Sequence, residues 1–179
     1  MRIISGTARG RRLKTLEGND VRPTTDKVKE AVFSAIQFDI EGRRFLDLFA
    51  GSGQMGLEAL SRGADFAVFV DSANESIKVL KDNVTATGFS EQSRIYRADA
   101  LTFLATANET YDIAFLDPPY AGGLLEKALS AVCAKMSDYG IIICEHPPEV
   151  SLPDEVDDFR VFKRYRYGKI NVTTYKKDR

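Results

Sequence analysis

From Gly42 onward, short apolar segments of strand length alternate with longer amphipathic segments of helical length. This pattern is typical of parallel β-strands, because each parallel connection must cross a face of the sheet and usually does so as a helix. The alternation therefore predicts an α/β fold with a doubly wound, mostly parallel sheet covered by helices on both faces. The predicted strands are residues 44–49, 66–70, 94–97, 113–116 and 141–144, and the predicted helices are residues 54–61, 74–87, 101–106 and 124–136.

Outside this alternation the sequence predicts one more helix and two hairpins. Apolar residues recur at helical spacing from Val28 to Ile36, so we expect a helix there with Thr24 or Thr25 as its N-cap. The hairpins are indicated by paired strand-like segments around glycines, namely residues 2–4 with 13–16 and residues 159–167 with 169–175.

The 179 residues are predicted to form a single domain, because no linker divides the chain. Within it, residues 1–20 are expected to be a hairpin extension with a basic tip, and residues 21–179 the core. The second hairpin is expected to add antiparallel strands to the edge of the sheet.

The composition limits the function classes. No apolar stretch approaches the length of a bilayer span, and the N-terminus has no signal-peptide pattern, so we expect a cytoplasmic protein without a membrane partner. Cys133 and Cys144 have no metal-ligand spacing and His146 is the single histidine, so no metal site is expected.

The net charge of −1 conceals a strong asymmetry along the chain. Residues 1–29 carry eight Lys and Arg against three Asp and Glu, residues 159–179 carry eight against one, and residues 30–158 carry nine against twenty-two. Two basic ends favour a polyanion-binding face assembled from the termini, although solvated ends would have the same composition.

The loop after the first predicted strand has the glycine spacing of a nucleoside-binding site. Gly51, Gly53 and Gly56 match G-x-G-x-x-G, and Asp71 ends the next predicted strand twenty residues after Gly51. The glycines let the backbone turn tightly near a ligand, and the Asp71 carboxylate can accept both ribose hydroxyls. By itself this pattern fits a dinucleotide as well as any other nucleoside.

Asp47 distinguishes between these ligands. It lies inside the first predicted strand, where a dinucleotide-binding strand is usually apolar, and its carboxylate would repel a pyrophosphate but hold an ammonium group. S-adenosylmethionine carries an ammonium group and an adenosine. Asp99, after the third predicted strand, could accept a hydrogen bond from the adenine amine or support the pocket. Each aspartate alone could equally be a turn or helix cap.

The segment Asp117-Pro118-Pro119-Tyr120 follows an apolar predicted strand and suits a planar ring that bears an exocyclic amine. The Asp117 side chain and the Pro118 carbonyl can each accept an N–H from the amine, and Tyr120 can stack on the ring. The two prolines fix φ and stiffen the turn. A simple strand stop followed by a turn is the alternative interpretation.

In this order, Asp47, the glycine loop, Asp71, Asp99 and the D-P-P-Y segment resemble the class I S-adenosylmethionine-dependent amino-methyltransferases. The sequences GTARGR (6–11), RPTTD (22–26) and FAGSG (49–53) further resemble the bacterial small-subunit rRNA guanine-N2 methyltransferases, the RsmD family, over nearly the full length. The resemblance implies a Rossmann-like, seven-stranded sheet with one antiparallel strand and an N-terminal hairpin that helps to hold RNA. It implies methylation of the exocyclic N2 of a guanine in 16S rRNA, with S-adenosylmethionine as cofactor.

The resemblance also assigns site residues. The expected catalytic residues are Asp117, Pro118, Pro119 and Tyr120, and the expected cofactor-binding residues are Asp47, Phe49, Ala50, Gly51, Ser52, Gly53, Asp71, Ser72, Asp99 and Ala100. The candidates for phosphate contacts are Arg2, Arg9, Arg11, Arg12, Lys14, Arg22, Lys163, Arg164, Arg166 and Lys169. The expected partner is ribosomal RNA or the assembling small subunit, and the protein is expected to be a monomer.

Three other functions stay open from the sequence. The same motif would serve another amine, such as adenine N6 in DNA or RNA or a glutamine amide in a protein. A nicotinamide-dependent oxidoreductase would use the same glycine loop, although Asp47 and the lack of a second dinucleotide-binding half argue against it. A non-catalytic RNA-binding module would account for the basic ends alone.

Overall fold

The structure, a computed structural model, describes residues 1–17, 25–119 and 122–177. The helices in these ranges are α1 (Asp26–Ala35), α2 (Gln54–Ser61), α3 (Asn74–Thr87), α4 (Ala100–Thr106) and α5 (Leu124–Val132), with 3-10 turns at Ser90–Gln92 and Cys133–Lys135. The strands are β1 (Arg44–Asp47), β2 (Phe66–Asp71), β3 (Ser93–Arg97), β4 (Tyr111–Leu116), β5 (Met136–His146), β6 (Glu155–Val156), β7 (Phe159–Tyr167) and β8 (Ile170–Lys177).

The strands form one sheet in the order β3-β2-β1-β4-β5-β8-β7-β6. Strands β1 to β5 are parallel, and β8 joins β5 in the antiparallel direction, as the predicted C-terminal hairpin requires. The predicted fold class is confirmed. Chain order reverses between β1 and β4, and ligands of doubly wound sheets bind at the carboxyl ends of the strands at such a reversal.

The predicted count of seven strands is wrong by one within the described residues. The additional strand, β6, is two residues long and pairs with the start of β7. So short a segment leaves no alternating pattern in the sequence. The predicted boundary between the last helix and β5 is also wrong, because α5 ends at Val132 and β5 already begins at Met136. Met136 is buried, but the next three residues of β5 are half-exposed or exposed at the amino edge of the sheet, so this part of the strand has no continuous apolar signal.

Two apolar clusters lie on the two faces of the sheet. Helices α1, α2 and α3 cover one face together with Ile3 of the N-terminal segment. Helices α4 and α5 cover the opposite face. Thr25 is the N-cap of α1, and its Oγ1 accepts a hydrogen bond from the Val28 N–H, 3.3 Å away. The alternative cap, Thr24, lies outside the described residues, and so does the predicted boundary between residues 20 and 21.

The N-terminal segment forms the predicted hairpin with a single antiparallel bridge between Arg2 and Arg12. Further backbone hydrogen bonds join Ile3 to Arg11 at 2.9 Å and Leu13 to Met1 at 2.9 Å. Among the helices of the described ranges, none combines the length and the apolar character that a membrane span needs.

Candidate cofactor and substrate site

The glycine loop between β1 and α2 is fastened to the end of β2. The Gly51 N–H donates to Asp71 Oδ2 at 2.8 Å, and the Ala50 N–H donates to the Val70 carbonyl at 2.9 Å. Gly53 adopts φ +85° at the N-cap of α2, a conformation that side chains rarely tolerate. A Cβ on Gly56 would lie 2.3 Å from Phe69 Cε1, so this glycine lets α2 pack directly on β2.

Asp47 ends β1 with only 2% of its surface exposed. Its Oδ2 accepts a hydrogen bond from the Gly56 N–H at 3.0 Å. Burial raises the pKa of Asp47 to about 7; the Gly56 hydrogen bond opposes this shift and the nearby Asp71 adds to it. No Lys or Arg of the described residues forms an ion pair with this carboxylate. A buried carboxylate of this kind gains most from a cationic ligand group, which would hold it in the ionised form.

Asp71 is oriented by two backbone donors. Its Oδ2 accepts from Gly51 and its Oδ1 accepts from the Ala73 N–H at 2.9 Å. Each carboxylate oxygen has a second lone pair, so both can still accept a hydroxyl. Ser72, the next residue, is exposed.

Asp99 is a helix cap, which is one of the two interpretations that the sequence left open for it. It is the N-cap of α4, and its Oδ2 accepts from the Thr102 N–H at 3.1 Å. The residue is exposed at the carboxyl end of β3, while Ala100 is buried in the first turn of the helix. Asp99 therefore stabilises α4 from a position at the same edge of the sheet as Asp47 and Asp71.

The remaining expected cofactor residues belong to the glycine loop. Phe49 is half-buried and packs against the cluster under α4 and α5, whereas Ala50 and Ser52 are buried. The Ser52 hydroxyl donates to the Met1 sulfur at 3.4 Å. A Cβ on Gly51 would lie 3.6 Å from Leu16 Cδ1. The N-terminal segment therefore touches the loop directly.

Asn83 is a residue of this site that the sequence reasoning missed. It is 1% exposed on α3, and its Nδ2 donates to the Ser52 carbonyl at 2.9 Å and to the Lys14 carbonyl at 3.0 Å. Its Oδ1 accepts from the Lys14 N–H at 2.8 Å. A signal was present, because Asn83 lies between Leu80 and Val84 on the apolar face of α3, where a polar side chain requires buried partners.

A buried charge cluster around Glu58 was missed as well. The Glu58 carboxylate is fully buried in α2 and accepts from the Ile4 N–H at 2.8 Å and the Ser5 N–H at 3.1 Å. Lys29 Nζ lies 3.4 Å from it and Arg62 Nε 2.9 Å. Burial lowers the pKa of Lys29, and Glu58 opposes that shift. This cluster holds the N-terminal hairpin against α1 and α2.

Asp117 follows β4 at the point where the sheet order reverses. Asp47 and Phe115 are paired in the register of β1 and β4, and the Leu48 N–H donates to the Phe115 carbonyl at 3.2 Å. Asp117 therefore leaves β4 beside the start of the glycine loop. Asp117 is half-buried, Pro118 is buried and Pro119 is exposed, whereas Tyr120 lies outside the described residues.

Three basic residues of the N-terminal hairpin contact helices α1 and α3. Lys14, near the glycine loop, pairs with Asp82 at 2.9 Å, and Arg2 lies 3.8 Å from Asp26. Arg11 donates to the Ala86 carbonyl at 2.9 Å. Arg9 and Arg12 are exposed, and Arg22 lies outside the described residues.

The tip of this hairpin does not lie beside the glycine loop. The Thr7 N–H donates to the carbonyl of Ser61, the last residue of α2, at 2.8 Å. Since α2 spans eight residues from the loop, the tip is displaced from it by about 12 Å.

The basic residues of the C-terminal hairpin lie on the other side of β4. The Lys163 ammonium lies 5.1 Å from the centre of the Tyr165 ring, and Arg164 pairs with Asp154 at 2.8 Å. Arg166 Nε donates to the Gly168 carbonyl at 3.3 Å, and Lys169 is exposed in the turn. This turn lies at the same edge of the sheet as Asp117, because the start of β8 pairs with the end of β5.

Comparison with known proteins gives matches along almost the whole chain. The profile of the family described as conserved hypothetical protein 95 matches residues 1–176. YlbH of Bacillus subtilis (strain 168), named provisionally as an rRNA methyltransferase, is 42% identical over 186 aligned positions that cover 99% of each chain. Ribosomal RNA small subunit methyltransferase D of Escherichia coli (strain K12) is 33% identical over 180 positions, covering 99% of this chain and 90% of that protein.

A solved structure, that of the provisionally named methyltransferase yhhF of Escherichia coli, superposes with a TM-score of 0.90 at 32% identity. The superposition covers 99% of this chain and 98% of that chain. These relatives confirm the resemblance stated from the sequence.

Proposed function

This chain belongs to the family described as conserved hypothetical protein 95, and we propose that it methylates the exocyclic N2 of a guanine in small-subunit ribosomal RNA. Its relatives named as small-subunit rRNA methyltransferases support the substrate class. One structural observation carries the proposal. The Asp117-Pro118-Pro119 turn leaves β4 beside Asp47 and the glycine loop. The acceptors for the guanine amine therefore lie at the same edge of the sheet as the proposed cofactor-binding residues, which we term the cofactor cradle.

The residues of the cradle fit S-adenosylmethionine, which supplies an electrophilic methyl carbon on a sulfonium. Asp47 would pair with its ammonium group, since this buried carboxylate has a raised pKa and forms no ion pair with the described Lys and Arg residues. Asp71 would accept the ribose hydroxyls with the lone pairs that its backbone donors leave. Gly51 and Gly53 would let the loop approach the ligand, and Asp99 with Ala100 would border the adenine.

Asp117 and the Pro118 carbonyl would activate the guanine amine. Its lone pair is delocalised into the ring, so the nitrogen is a weak nucleophile. Accepting both N–H groups favours a pyramidal nitrogen and stabilises the positive charge that develops as the N–C bond forms and the C–S bond breaks. The methylated nitrogen then loses one proton, which can pass to the Asp117 carboxylate or to water.

No covalent enzyme nucleophile enters this proposal. Burial raises the pKa of the Cys133 thiol to about 12, and burial also raises the pKa of Cys144. Both thiols are therefore protonated at neutral pH and unsuited to attack a pyrimidine ring. This supports direct transfer to an amine.

The target guanine must be unpaired or extruded, because N2 lies on the Watson–Crick edge. Exposed basic residues of the two hairpins, such as Arg9, Arg12 and Lys169, would hold the RNA phosphates around it. We propose that residues 1–179 act as one domain and as a monomer, on ribosomal RNA or on the assembling small subunit in the cytoplasm.

The test is methyl transfer from tritiated S-adenosylmethionine to naked 16S rRNA, assembled small subunits and DNA, followed by nucleoside analysis. We expect label in N2-methylguanosine from one of the two RNA substrates. Label found only in N6-methyladenine would contradict the guanine assignment. Binding of NAD without binding of S-adenosylmethionine would contradict the reaction class.

The role of Asp117 is tested by Asp117→Ala, with Asp138→Asn as the matched control. Asp138 is an exposed carboxylate in the amino-edge part of β5 that lies 3.5 Å from Lys177 Nζ. We expect the first variant to lose methyl transfer while it keeps affinity for RNA, and the second to retain full activity. Unchanged transfer by Asp117→Ala would remove Asp117 from the mechanism.

A further inference from the structure

Strand β7 carries three aromatic side chains that have no role in the proposed methyl transfer. Phe162, Tyr165 and Tyr167 are interspersed with basic residues along this strand. Phe162 is 61% exposed, although phenylalanine is among the residues that proteins most often bury, whereas the two tyrosines are half-buried. We term these three residues the β7 aromatic row.

A β-bulge brings Phe162 onto the same face of the sheet as the two tyrosines. The register of β7 and β8 shifts between Val161 and Lys163, so Phe162 is an extra residue in β7. The extra residue delays the alternation of side chains by one position, so Phe162 and Lys163 share a face. Lys163 also shares that face with Tyr165 and Tyr167, because side chains at every second position of a strand point the same way. The bulge therefore completes the row.

Contacts join the rings of the row to one another and to two lysines. The centres of the Tyr165 and Tyr167 rings are 6.1 Å apart, and the ring planes are within 13° of parallel. The Lys163 ammonium lies 5.1 Å from the centre of the Tyr165 ring. The ammonium of Lys176, on β8, lies 3.9 Å from the centre of the Phe162 ring. Aromatic surface and positive charge thus occur together along the row.

The two lysines are available to an anionic ligand. Within the described residues, the ion pairs of the C-terminal hairpin involve Arg160, Arg164 and Lys177. Lys163 is exposed and Lys176 is half-buried, and neither forms an ion pair with a described carboxylate. Their charge therefore attracts polyanions to the row.

The two tyrosines are held in place from below. Both rings pack against the apolar cluster that contains Ile143 and Val172, and Tyr165 pairs directly with Val172. A ring that is already ordered loses little conformational freedom when a ligand stacks on it, so preorganisation favours binding.

The row begins at the edge of the sheet where Asp117 lies. Tyr167 pairs with Ile170 at the turn of the C-terminal hairpin, and the start of β8 pairs with the end of β5. Strands β4 and β7 are separated by β5 and β8, so the row lies roughly 14 Å from the strand that delivers Asp117. From Tyr167 to Phe162 the row extends roughly 15 Å along β7. An RNA strand that enters the Asp117 turn can therefore continue across it.

We propose that the β7 aromatic row stacks the bases of unpaired RNA next to the target guanine, with Lys163 and Lys176 holding the phosphates. This inference rests on the proposed function and adds to it a surface that binds bases. Aromatic rings beside positive charges suit unpaired RNA of any sequence, because every base has a π-face and a phosphate. An acidic protein segment would match the lysines but would make no use of the three rings.

A tryptophan placed in the row reports stacking directly. The chain contains no tryptophan, so Phe162→Trp introduces a single fluorescent indole. We expect naked 16S rRNA to quench its emission, because a stacked base quenches indole fluorescence. Heparin, a polyanion without bases, should leave the emission nearly unchanged. Equal quenching by heparin and RNA would overturn the proposal, and quenching by assembled small subunits but not by naked RNA would overturn it in favour of a protein partner.

The matched reporter is Phe66→Trp. The guanidinium of Arg44 lies 5.0 Å from the centre of the Phe66 ring, so this aromatic residue also has a cation beside it. It lies on β2, five strands away from β7 in the sheet. We expect no quenching by RNA at this position, and equal quenching of the two reporters would overturn the proposal.

The contribution of the row to catalysis is tested by Phe162→Leu and Tyr165→Leu. Each change removes a π-face but keeps an apolar side chain, so we expect the KM for the RNA substrate to rise about tenfold. The value of kcat at saturating RNA and the Kd for S-adenosylmethionine should stay unchanged. Phe162→Trp, which keeps an aromatic ring, should retain the original KM. The control is Val161→Ala, because Val161 packs on the opposite face of the sheet.

The exposure of Phe162 guards the test against misfolding, since Phe162→Leu removes no core side chain even if Tyr165→Leu fails to fold. An unchanged KM in Phe162→Leu would overturn the proposal. The two proposals also fail in different ways. If the unaltered protein methylates no RNA, the proposed function fails and this inference with it. If it methylates RNA while Phe162→Leu keeps its KM and the tryptophan at the same position is not quenched, only the aromatic row fails.

Discussion

The side-chain amide of Asn83 donates to the carbonyl of Ser52, 2.9 Å away, and the same amide pairs with both backbone groups of Lys14. One buried side chain therefore joins the glycine loop to the N-terminal hairpin. The hairpin, for which the resemblance implied a role in holding RNA, therefore also supports the glycine loop that we propose binds the cofactor.

Asn83→Asp should weaken the binding of S-adenosylmethionine. The variant keeps the acceptor for the Lys14 N–H but places carboxylate oxygens against the carbonyls of Ser52 and Lys14, so two hydrogen bonds are lost and like charges meet. We expect the Kd from calorimetry to rise about tenfold or more. The control is Thr87→Val, because the Thr87 hydroxyl bonds only to carbonyls of its own helix. If both variants lower the melting temperature equally and neither changes the Kd, Asn83 is structural only.

Asp47 should make the stability of the cofactor-free protein depend on pH. Its pKa is raised from 3.8 to about 7 by burial, so between these values the folded state keeps a proton that the unfolded state has lost. The stabilising contribution is complete below about pH 4 and disappears as the pH rises through 7, a change on the order of 4 kcal/mol. We expect the free energy of unfolding to fall less between pH 5 and pH 8 in Asp47→Asn, measured by denaturant titration.

The same residue should affect cofactor affinity in the opposite direction. Only the ionised carboxylate attracts an ammonium group, so the affinity for S-adenosylmethionine should rise between pH 6 and pH 7.5, and Asp47→Asn should abolish binding. Asp65→Asn, an exposed aspartate before β2, is the control for both measurements. If the free energy of unfolding depended on pH in the same way in the unaltered protein and in Asp47→Asn, the assignment of the raised pKa to Asp47 would be contradicted.

Glu58→Gln should destabilise the N-terminal hairpin. The change leaves the fully buried Lys29 without its counter-charge, and breaking a buried pair in this way costs about 3–5 kcal/mol. We expect a lower free energy of unfolding and faster trypsin cleavage after Arg9 and Arg12. Adding Lys29→Met should restore most of the loss, because the uncompensated charge is then removed.

The matched control is Glu109→Gln. Glu109 forms a partly exposed ion pair with Arg44 at 2.7 Å, and such a pair is worth less than about 1 kcal/mol. Equal losses in the free energy of unfolding for Glu58→Gln and Glu109→Gln would show that the buried cluster contributes no more to stability than an exposed ion pair.

Two glycines of the hairpin should respond differently to alanine. Gly6 and Gly10 have similar positive φ values, +89° and +83°, so both substitutions introduce backbone strain of about 1 kcal/mol. A Cβ on Gly6 would also lie 1.8 Å from the Ser61 carbonyl oxygen, whereas nothing lies within 4 Å of one on Gly10. We expect Gly6→Ala to lower the melting temperature much more than Gly10→Ala. Equal changes would mean that the hairpin is not held against α2.

The parts of the fold that could be predicted are those whose cause is local. The glycine loop, the alternation of strands and helices and the cap of α1 each depend on residues close together in sequence. Strand β6 and the early start of β5 escaped prediction, because their pairing depends on partners in other strands.

The parts of the site that escaped prediction are polar residues whose partners are distant in sequence. Lys29 and Glu58 are separated by almost thirty residues and acquire their burial only when the hairpin packs on α2. The role of Asp99 as a helix cap shows the reverse case, in which the local interpretation accounts for the observed hydrogen bond.

Strand β8 lies between β5 and β7 in the sheet, although it follows both in the chain. On a ribosome, β7 therefore emerges before the neighbour that ties it to the sheet exists, with only the two residues of β6 available for pairing. The parallel half, β1 to β5, can assemble earlier as successive segments appear. A nascent chain should consequently fold the half that carries the glycine loop before the antiparallel edge that we propose meets RNA.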